Sequence, residues 1–137
     1  MNVKTIIFAG IAGGILLLVL LIAINMIMNI VVPYDIMKFE GMRPADDPVL
    51  ILFFLYPFVI AFSQAIVFDL VKSSLAGNQV QKGIQFSALS IVIMTIPSLY
   101  VMFTSMNWPI DFYISSLVWE IIGFLMIGTF YVRIWRI

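Results

Sequence analysis

The chain has 137 residues, of which 64% are hydrophobic and 10% are charged. Soluble domains carry about 25% charged residues, so this chain is predicted to lie in a lipid bilayer rather than in water. It has no cysteine and no histidine, which excludes disulfides, thiolate metal sites, histidine-dependent catalytic triads and histidine-ligated haem. A formal net charge of zero argues against nucleic-acid binding.

Four segments are long and apolar enough to cross a bilayer core, which needs about 20 residues in a helix. They cover residues 6–32, 49–71, 83–106 and 110–132. The apolar runs are continuous rather than alternating, which favours helices over a β-barrel. Short connections place consecutive helices side by side. The fold prediction is an all-α membrane protein, a single domain over residues 1–137 that forms an antiparallel bundle of four transmembrane helices.

The positive charges predict the orientation of the bundle. Membrane proteins keep Lys and Arg on the cytoplasmic side, and most cations of this chain fall on the side of both termini: Lys4, Lys72, Lys82, Arg133 and Arg136. We therefore expect an N-in, C-in topology in a plasma membrane. Tyr131 and Trp135, at the end of the fourth span, are typical of an interfacial aromatic belt.

Turn residues and prolines predict where the spans begin and bend. Asp47-Pro48 is typical of an N-cap followed by proline at the first helical position, and Asn107-Trp108-Pro109 suggests the same start for the fourth span. Pro57 and Pro97 lie inside the second and third spans. Each removes a backbone hydrogen bond, so both helices are expected to kink.

Glu120 is the strongest candidate for a functional residue. It lies near the middle of the fourth span, where an acidic residue costs about 3 kcal/mol and is expected to face the bundle interior. Four polar residues of the second and third spans are expected at the same membrane depth as Glu120: Ser63, Gln64, Thr95 and Ser98. Among them we expect Gln64 and Ser98 to form hydrogen bonds with Glu120. Three roles are open for this polar network. It holds the helices together, it forms a proton- or ion-linked site, or it contacts a partner subunit.

Two further polar pairs lie within the spans. Asp69 and Lys72 are three residues apart at the end of the second span, where an ion pair that extends to the aqueous interface is expected. Asn25 and Asn29 share one face of the first span. They either form hydrogen bonds between helices or line a polar cavity that opens outward.

Small residues and one polar loop complete the candidate features. Gly10 and Gly14 form a GxxxG motif beside Gly13, which permits close helix packing within the chain or between copies of it. The outer loop, residues 33–48, mixes apolar residues with four acids and two cations, and is predicted to lie on the membrane surface or against a partner. Its acids do not match an EF-hand spacing, so neither a metal nor a cofactor is predicted.

The last two spans contain a recognisable pattern. Lys82-Gly83 opens the third span, and Trp119-Glu120 is followed by Gly123, Gly128 and Tyr131. Over residues 83–137 this pattern resembles a loose group of small prokaryotic four-span membrane proteins of unassigned function. The resemblance implies a prokaryotic membrane and assigns neither an activity nor site residues.

The function prediction follows from the absence of catalytic residue sets and of mass outside the spans. We expect a structural or accessory subunit of a larger membrane complex, or a self-assembling bundle, rather than an enzyme. Its expected partners are the lipid bilayer and either a membrane protein or further copies of itself. The alternative is a small transporter or channel in which Glu120 is a proton- or ion-linked carboxylate.

Overall fold

A computed structural model describes residues 2–137, and these residues form helices and connecting segments without a strand. Four helical spans are long and apolar enough to cross a membrane: Val3–Val31, Pro48–Ser74, Gln79–Ser105 and Ile110–Trp135. The all-α, four-helix prediction is therefore confirmed. Spans of 26 to 29 residues reach about 40 Å at 1.5 Å per residue, which exceeds a bilayer core of about 30 Å.

Two of the spans are not regular throughout. The first span is one continuous helix, α1 (Val3–Val31), and the fourth is another, α5 (Ile110–Trp135). The second consists of a 3₁₀ segment (Pro48–Leu55), α2 (Tyr56–Val71) and a short turn (Lys72–Ser74). The third consists of α3 (Gln79–Ser90), a π-helical turn (Ile91–Thr95) and α4 (Ile96–Ser105). The 3₁₀ segment ends just before Pro57, and the π turn ends just before Pro97, the two prolines expected to disturb their helices.

The helix starts agree with the sequence prediction at one position and not at another. Asp47 caps the second span by accepting a hydrogen bond from the backbone N–H of Val49 at 2.9 Å, and Pro48 is the first residue of that span. The capped start predicted for the fourth span is wrong, because α5 begins directly after Pro109 and no side chain caps it. Asp111 lies in its first turn, as its position two residues after Pro109 predicts, and a negative charge there favours the helix dipole.

The helices surround a core that lies mainly at one end of the bundle. α1 packs against α2 and α5, and α3 packs against α5. We call the half of the bundle that contains both chain ends the chain-end half, and the half next to loop 33–48 the long-loop half. In the chain-end half Phe68, Phe86 and Tyr131 are fully buried, and the ring centroids of Phe68 and Phe86 are 4.9 Å apart. Tyr131 therefore belongs to the core, and its predicted place in an interfacial belt is wrong.

The GxxxG motif of α1 serves packing within the chain. A side chain at Gly10 would overlap Phe62, and one at Gly14 would overlap Phe58, both on α2. Gly13 faces α5 in the same way. Helices of the same chain occupy both sides of this glycine cluster. The motif therefore packs helices within the chain rather than between copies of it.

A second close helix contact was not anticipated from the sequence. Gly83 of α3 lies against α5 so tightly that a Cβ atom there would be 3.0 Å from the Cα of Thr129. Gly128 faces Gly83 from the other side. Ser87 is buried beside them, and its hydroxyl donates to the carbonyl oxygens of Gly83 and Phe124, both at 2.7 Å. Small residues and one bridging hydroxyl thus hold α3 on α5.

Candidate functional site

The long-loop half of the bundle is open. Neither the 3₁₀ segment Pro48–Leu55 nor α4 has a buried residue. A cleft of about 980 Å³ lies among the four spans at this end. Loop 33–48 and the first turns of α5 form its mouth, and side chains of all four spans line its walls.

The cleft extends to Glu120. A smaller cavity of about 200 Å³ lies deeper in the bundle, lined by Leu17, Ile60 and Met94 among others. Glu120 and Trp119 line both the cleft and the inner cavity. The Glu120 carboxyl group therefore lies where the two spaces meet, accessible from the long-loop end and partly shielded from its surroundings.

The π turn of the third span places a hydroxyl group beside Glu120. The Oγ1 atom of Thr95 lies next to the Glu120 side chain, is buried, and makes no well-aligned hydrogen bond with any residue of 2–137. Ser98 lines the inner cavity and donates to the backbone carbonyl of Thr95 at 3.4 Å. π turns inside α-helices occur frequently at functional sites, and the Glu120 carboxyl group is the polar neighbour of this buried hydroxyl.

The charge around Glu120 is unbalanced. The side chains that line the cleft and the inner cavity include Asp35 and Glu120 but neither Lys nor Arg. Within residues 2–137 the ion pairs involve Asp35, Asp47 and Asp69, and not Glu120. A carboxylate inside a membrane protein normally has a partner, and residues 2–137 place no cation beside this one.

The structure divides the predicted polar network into two parts. Thr95 and Ser98 lie near Glu120, but the Ser98 hydroxyl bonds to the Thr95 carbonyl and not to Glu120, so the predicted bond between Ser98 and Glu120 is wrong. Gln64 lies in a separate buried pair, in which its Oε1 accepts from the Ser90 hydroxyl at 2.7 Å and its amide nitrogen is 2.7 Å from the Met94 sulfur.

Ser63 and Ser90 show where the depth argument failed. Ser63 is exposed on the outer surface of α2, so it does not belong to either polar group. Ser90 was not predicted, although its position could have been noticed. Gly83, Ser87 and Ser90 follow one another at spacings of four and three residues, which marks a small, polar face of a helix.

Both asparagines of the first span line the cleft. The side-chain amide of Asn25 donates to the carbonyl of Leu21 at 2.8 Å, and its oxygen is 3.5 Å from the Tyr34 hydroxyl. Asn29 is one turn closer to the mouth. Tyr34 also reaches Ser115 of α5 at 3.4 Å. Both asparagines thus line the cleft, and the side-chain amide of Asn25 bonds within its own helix.

The long loop folds onto the protein at the mouth of the cleft. The Phe39 ring packs against Tyr34, Trp108 and Phe112, with centroids 5.9, 5.3 and 5.7 Å apart. The membrane surface or a partner was expected to cover the apolar residues of this loop, but Phe39 is covered by the chain itself. The loop thereby forms one wall of the entrance.

An ion pair orders the end of the long loop. Arg43 donates to Asp47 at 2.8 Å. This hydrogen bond, together with that from the backbone N–H of Val49, holds the pKa of Asp47 below its usual value of 3.8. The negative charge of Asp47 is thus favoured at the start of the second span.

Asp69 and Lys72 form a different kind of site at the chain-end side. Their charged atoms are 2.5 Å apart, but the Asp69 side chain is only 3% exposed and also accepts a hydrogen bond from the Trp135 indole at 2.8 Å. The ion pair predicted at the end of the second span is therefore present, and its acid faces the end of α5 inside the bundle. Trp135 was predicted as a belt residue, and it instead ties the end of α5 to α2.

Residues 2–137 contain no cluster of three or more Asp, Glu, His or Cys side chains arranged to hold a metal ion. Comparisons with protein-family models, curated proteins and solved structures give no match to this chain.

Proposed function

We propose that this multi-pass membrane protein is a small transporter that binds an apolar organic cation in the cleft of the long-loop half and links its movement to a proton at Glu120. The observation that supports this proposal most directly is the position of Glu120 at the inner end of the cleft, where no Lys or Arg of the described residues lines the space.

The charge of the lining favours a cationic ligand. Two acidic side chains and no basic ones line the cleft, and a charge held away from water is costly unless it is paired. A bound cation would supply the partner that Glu120 lacks. An anion would be repelled by Glu120, whereas the charge of Asp35 is paired with Lys38, and the same low dielectric strengthens attraction and repulsion alike.

The remaining lining favours a ligand with an apolar body. Six aromatic residues line the cleft, which are Tyr34, Phe53, Tyr56, Trp108, Phe112 and Trp119. Aromatic faces attract cations, especially those that are poorly hydrated. The volume of about 980 Å³ lies at the upper end of the range for small-molecule sites, about 300–1,000 Å³. A bare inorganic ion needs neither this volume nor these rings.

The single carboxyl group provides the link to protons. Within the cleft Glu120 can be neutralised by a proton or by the organic cation, and the two compete for one group. Entry of the cation therefore releases a proton, and its departure allows a proton to bind again. The hydroxyl of Thr95 lies beside the carboxyl group, where it can serve as a hydrogen-bond partner in either state.

The distribution of charge supports an orientation for this function. The chain-end side has five cations and one acid, which gives a net charge of +4. The long-loop side has two cations and five acids, which gives a net charge of −3, and Glu120 lies between the two sides. Under the positive-inside rule both termini are cytoplasmic. The cleft then opens to the outside of the cell, in a membrane that we expect to be a prokaryotic plasma membrane.

The test compares two ions of the same shape and opposite charge. Tetraphenylphosphonium and tetraphenylborate are titrated against the full-length protein in lipid nanodiscs, and proton release is followed in weak buffer. We expect the cation to bind with release of close to one proton, and the anion not to bind. Equal binding of the two ions would contradict the proposal.

A matched pair of variants assigns the effect to Glu120. Glu120→Gln should weaken binding of the phosphonium ion at least ten-fold and abolish proton release. Glu40→Gln makes the same change at an exposed position of the long loop and should alter neither. Proteoliposomes with an imposed pH gradient then test transport, which Glu120→Gln should stop. If Glu120→Gln binds the cation as the unchanged protein does, Glu120 is not the ligand-binding group.

A second candidate, an accessory subunit of a membrane complex, is favoured by one separate observation. The segments Pro48–Leu55 and α4 bury no residue within the chain, so a helix of another protein would find an uncovered surface there. Native mass spectrometry after mild solubilisation tests this directly. A stoichiometric heteromer would support the subunit function, and a monomer or homo-oligomer would contradict it.

A further inference from the structure

Three basic side chains converge at the chain-end face of the bundle, one from the start of the chain and two from its end. They surround a shallow pocket of about 410 Å³ between the first turns of α1 and the last turns of α5. Its lining consists of Lys4, Thr5, Phe8, Arg133, Ile134 and Arg136. Half of these residues are cationic and none is acidic.

No ion pair within the described part of the chain neutralises these cations. The ion pairs within residues 2–137 use Lys38, Arg43 and Lys72 as their cations. Asp69 is the acid of this end of the bundle, and it is bound by Lys72 and Trp135. Three like charges around one pocket repel one another, so an anion that binds there relieves repulsion as well as making new contacts.

The fold builds the pocket from two helix ends. Arg136 adopts a left-handed backbone conformation with φ of 53°, which ends α5, and the N–H of Ile137 bonds back to the carbonyl of Val132 at 3.3 Å. This turn places Arg136 on the rim of the pocket with Arg133. The N-terminus of α1 lies opposite, and its helix dipole adds to the positive potential.

The position of the pocket selects the kind of anion. Lys4 and Arg133 lie within a turn of the ends of their spans, at the depth of lipid headgroups when the apolar helices cross a bilayer. Phe8, one turn deeper, is 61% exposed and faces the acyl region. We infer that this pocket binds an anionic phospholipid, with its headgroup phosphate among Lys4, Arg133 and Arg136 and an acyl chain along Phe8. This inference does not depend on the function proposed for the cleft.

Lipid exchange into the full-length protein provides the test. The protein is transferred into nanodiscs that contain phosphatidylglycerol and phosphatidylcholine with identical acyl chains, and native mass spectrometry after release counts the lipids that stay bound. We expect one phosphatidylglycerol to be retained preferentially. Equal retention of the two lipids would overturn the inference.

Two lysine variants provide a matched comparison. Lys4→Gln removes a charge from the pocket and should lower the affinity for phosphatidylglycerol about five-fold, and Arg136→Gln should have an effect of the same size. Lys82→Gln removes the same charge at the same end of the bundle but outside the pocket, and should leave the affinity within two-fold. Equal losses for Lys4→Gln and Lys82→Gln would show general surface attraction instead of a site.

Inorganic phosphate distinguishes a lipid from a soluble anion. We expect phosphate at millimolar concentration to leave the retained phosphatidylglycerol in place, because the ion lacks the acyl contact with Phe8. Displacement of the lipid by phosphate at this millimolar concentration would overturn the assignment to a lipid. Retention of phosphatidylglycerol by Glu120→Gln would separate this site from the cleft, and its loss would contradict their independence.

Discussion

The two halves of the bundle differ in packing, although the same four spans run through both. In the chain-end half, aromatic side chains and close glycine contacts fill the space between helices, and Phe68, Phe86 and Tyr131 are fully buried. In the long-loop half, Pro48–Leu55 and α4 bury nothing and a cleft reaches Glu120. One half therefore provides stability, and the other is free to bind a ligand.

The difference arises from residue size and from the nature of the solvent. Apolar side chains gain little by leaving lipid, so helices in a membrane associate through small residues and hydrogen bonds. Gly10, Gly14, Gly83 and Gly128 provide such contacts in the chain-end half or close to the middle of the bundle. The segment Pro48–Leu55 contains no small residue, so its large side chains can face lipid without cost.

The largest expected effect comes from filling a glycine contact in the packed half. In Gly128→Ala the added methyl group would lie 2.5 Å from the Gly83 carbonyl oxygen, so α3 and α5 must separate. We expect the free energy of unfolding to fall by about 1–3 kcal/mol. Steric trapping of the unfolded state in bicelles measures this change.

Gly123→Ala, on the same helix, is the control. Its nearest neighbours would be side-chain atoms of Leu17 and Trp119 at 3.4 Å, which is ordinary contact. The free energy of unfolding should change by less than about 0.5 kcal/mol, within the usual range for substitutions that neither overpack nor open a cavity. If both alanines cost the same, close packing at Gly128 is not what holds the chain-end half together.

A smaller effect is expected from one buried hydroxyl in the same half. Tyr131 donates to the backbone carbonyl of Ala61 at 2.5 Å, which links α5 to α2. Tyr131→Phe keeps the ring and removes this bond, at an expected cost of about 1 kcal/mol, since hydrogen bonds between membrane helices contribute about 0.6 kcal/mol on average and up to about 1.7. Tyr100→Phe, at a residue that is 69% exposed, should have no measurable effect in the same unfolding assay.

The sequence predicts the spans well and the contacts between them less well. Span number depends on local composition, which can be read directly from the chain. The contact between Gly83 and Gly128 depends on how α3 and α5 are rotated and shifted against each other. The two residues are 45 positions apart, and the local sequence around each does not specify this rotation or shift. The same is true of Asp69 and Trp135, since a tryptophan near a span end is equally typical of an interfacial belt.

The candidate site was predicted in part for the same reason. Depth alone identified Glu120, Thr95 and Ser98, which lie at similar levels on neighbouring spans. Depth also suggested Gln64, but the rotation of α2 and the π turn of the third span pair Gln64 with Ser90 instead. An extra residue in one turn changes the direction of the side chains that follow it, and the sequence offered no sign of that turn beyond Pro97.

In the open half, we expect stability and binding to respond in opposite directions. Thr95→Val replaces a buried hydroxyl that has no well-aligned partner with a methyl group of the same shape. The free energy of unfolding should stay constant or rise by up to about 1 kcal/mol, whereas affinity for tetraphenylphosphonium should fall several-fold. Thr104→Val, at an exposed residue of α4, should change neither. A loss of stability in Thr95→Val would mean that this hydroxyl supports the fold rather than the cleft.

The smallest effect is expected where contacts are purely local. The hydrogen bond from Arg43 and that from the N–H of Val49 lower the pKa of Asp47 from 3.8. A lowered pKa in the folded state means that the stabilisation is fully present above the unfolded value and is lost as the pH falls through the folded one. Titration of the Asp47 carboxyl carbon by NMR should therefore give a midpoint below 3.8, and Arg43→Gln should raise that midpoint.

Asp46→Asn removes a neighbouring charge without touching the hydrogen bonds of Asp47 and should leave the direction of the shift unchanged. Because the Asp47 side chain is 21% exposed and caps only the start of Pro48–Leu55, acid should loosen that segment before it affects the chain-end half. Hydrogen exchange at pH 3 and pH 6 measures this: faster exchange confined to the first turn of the second span is expected. A uniform increase through α2 and α5 would mean that the two halves unfold as one unit, and that the open half is not independent of the packed one.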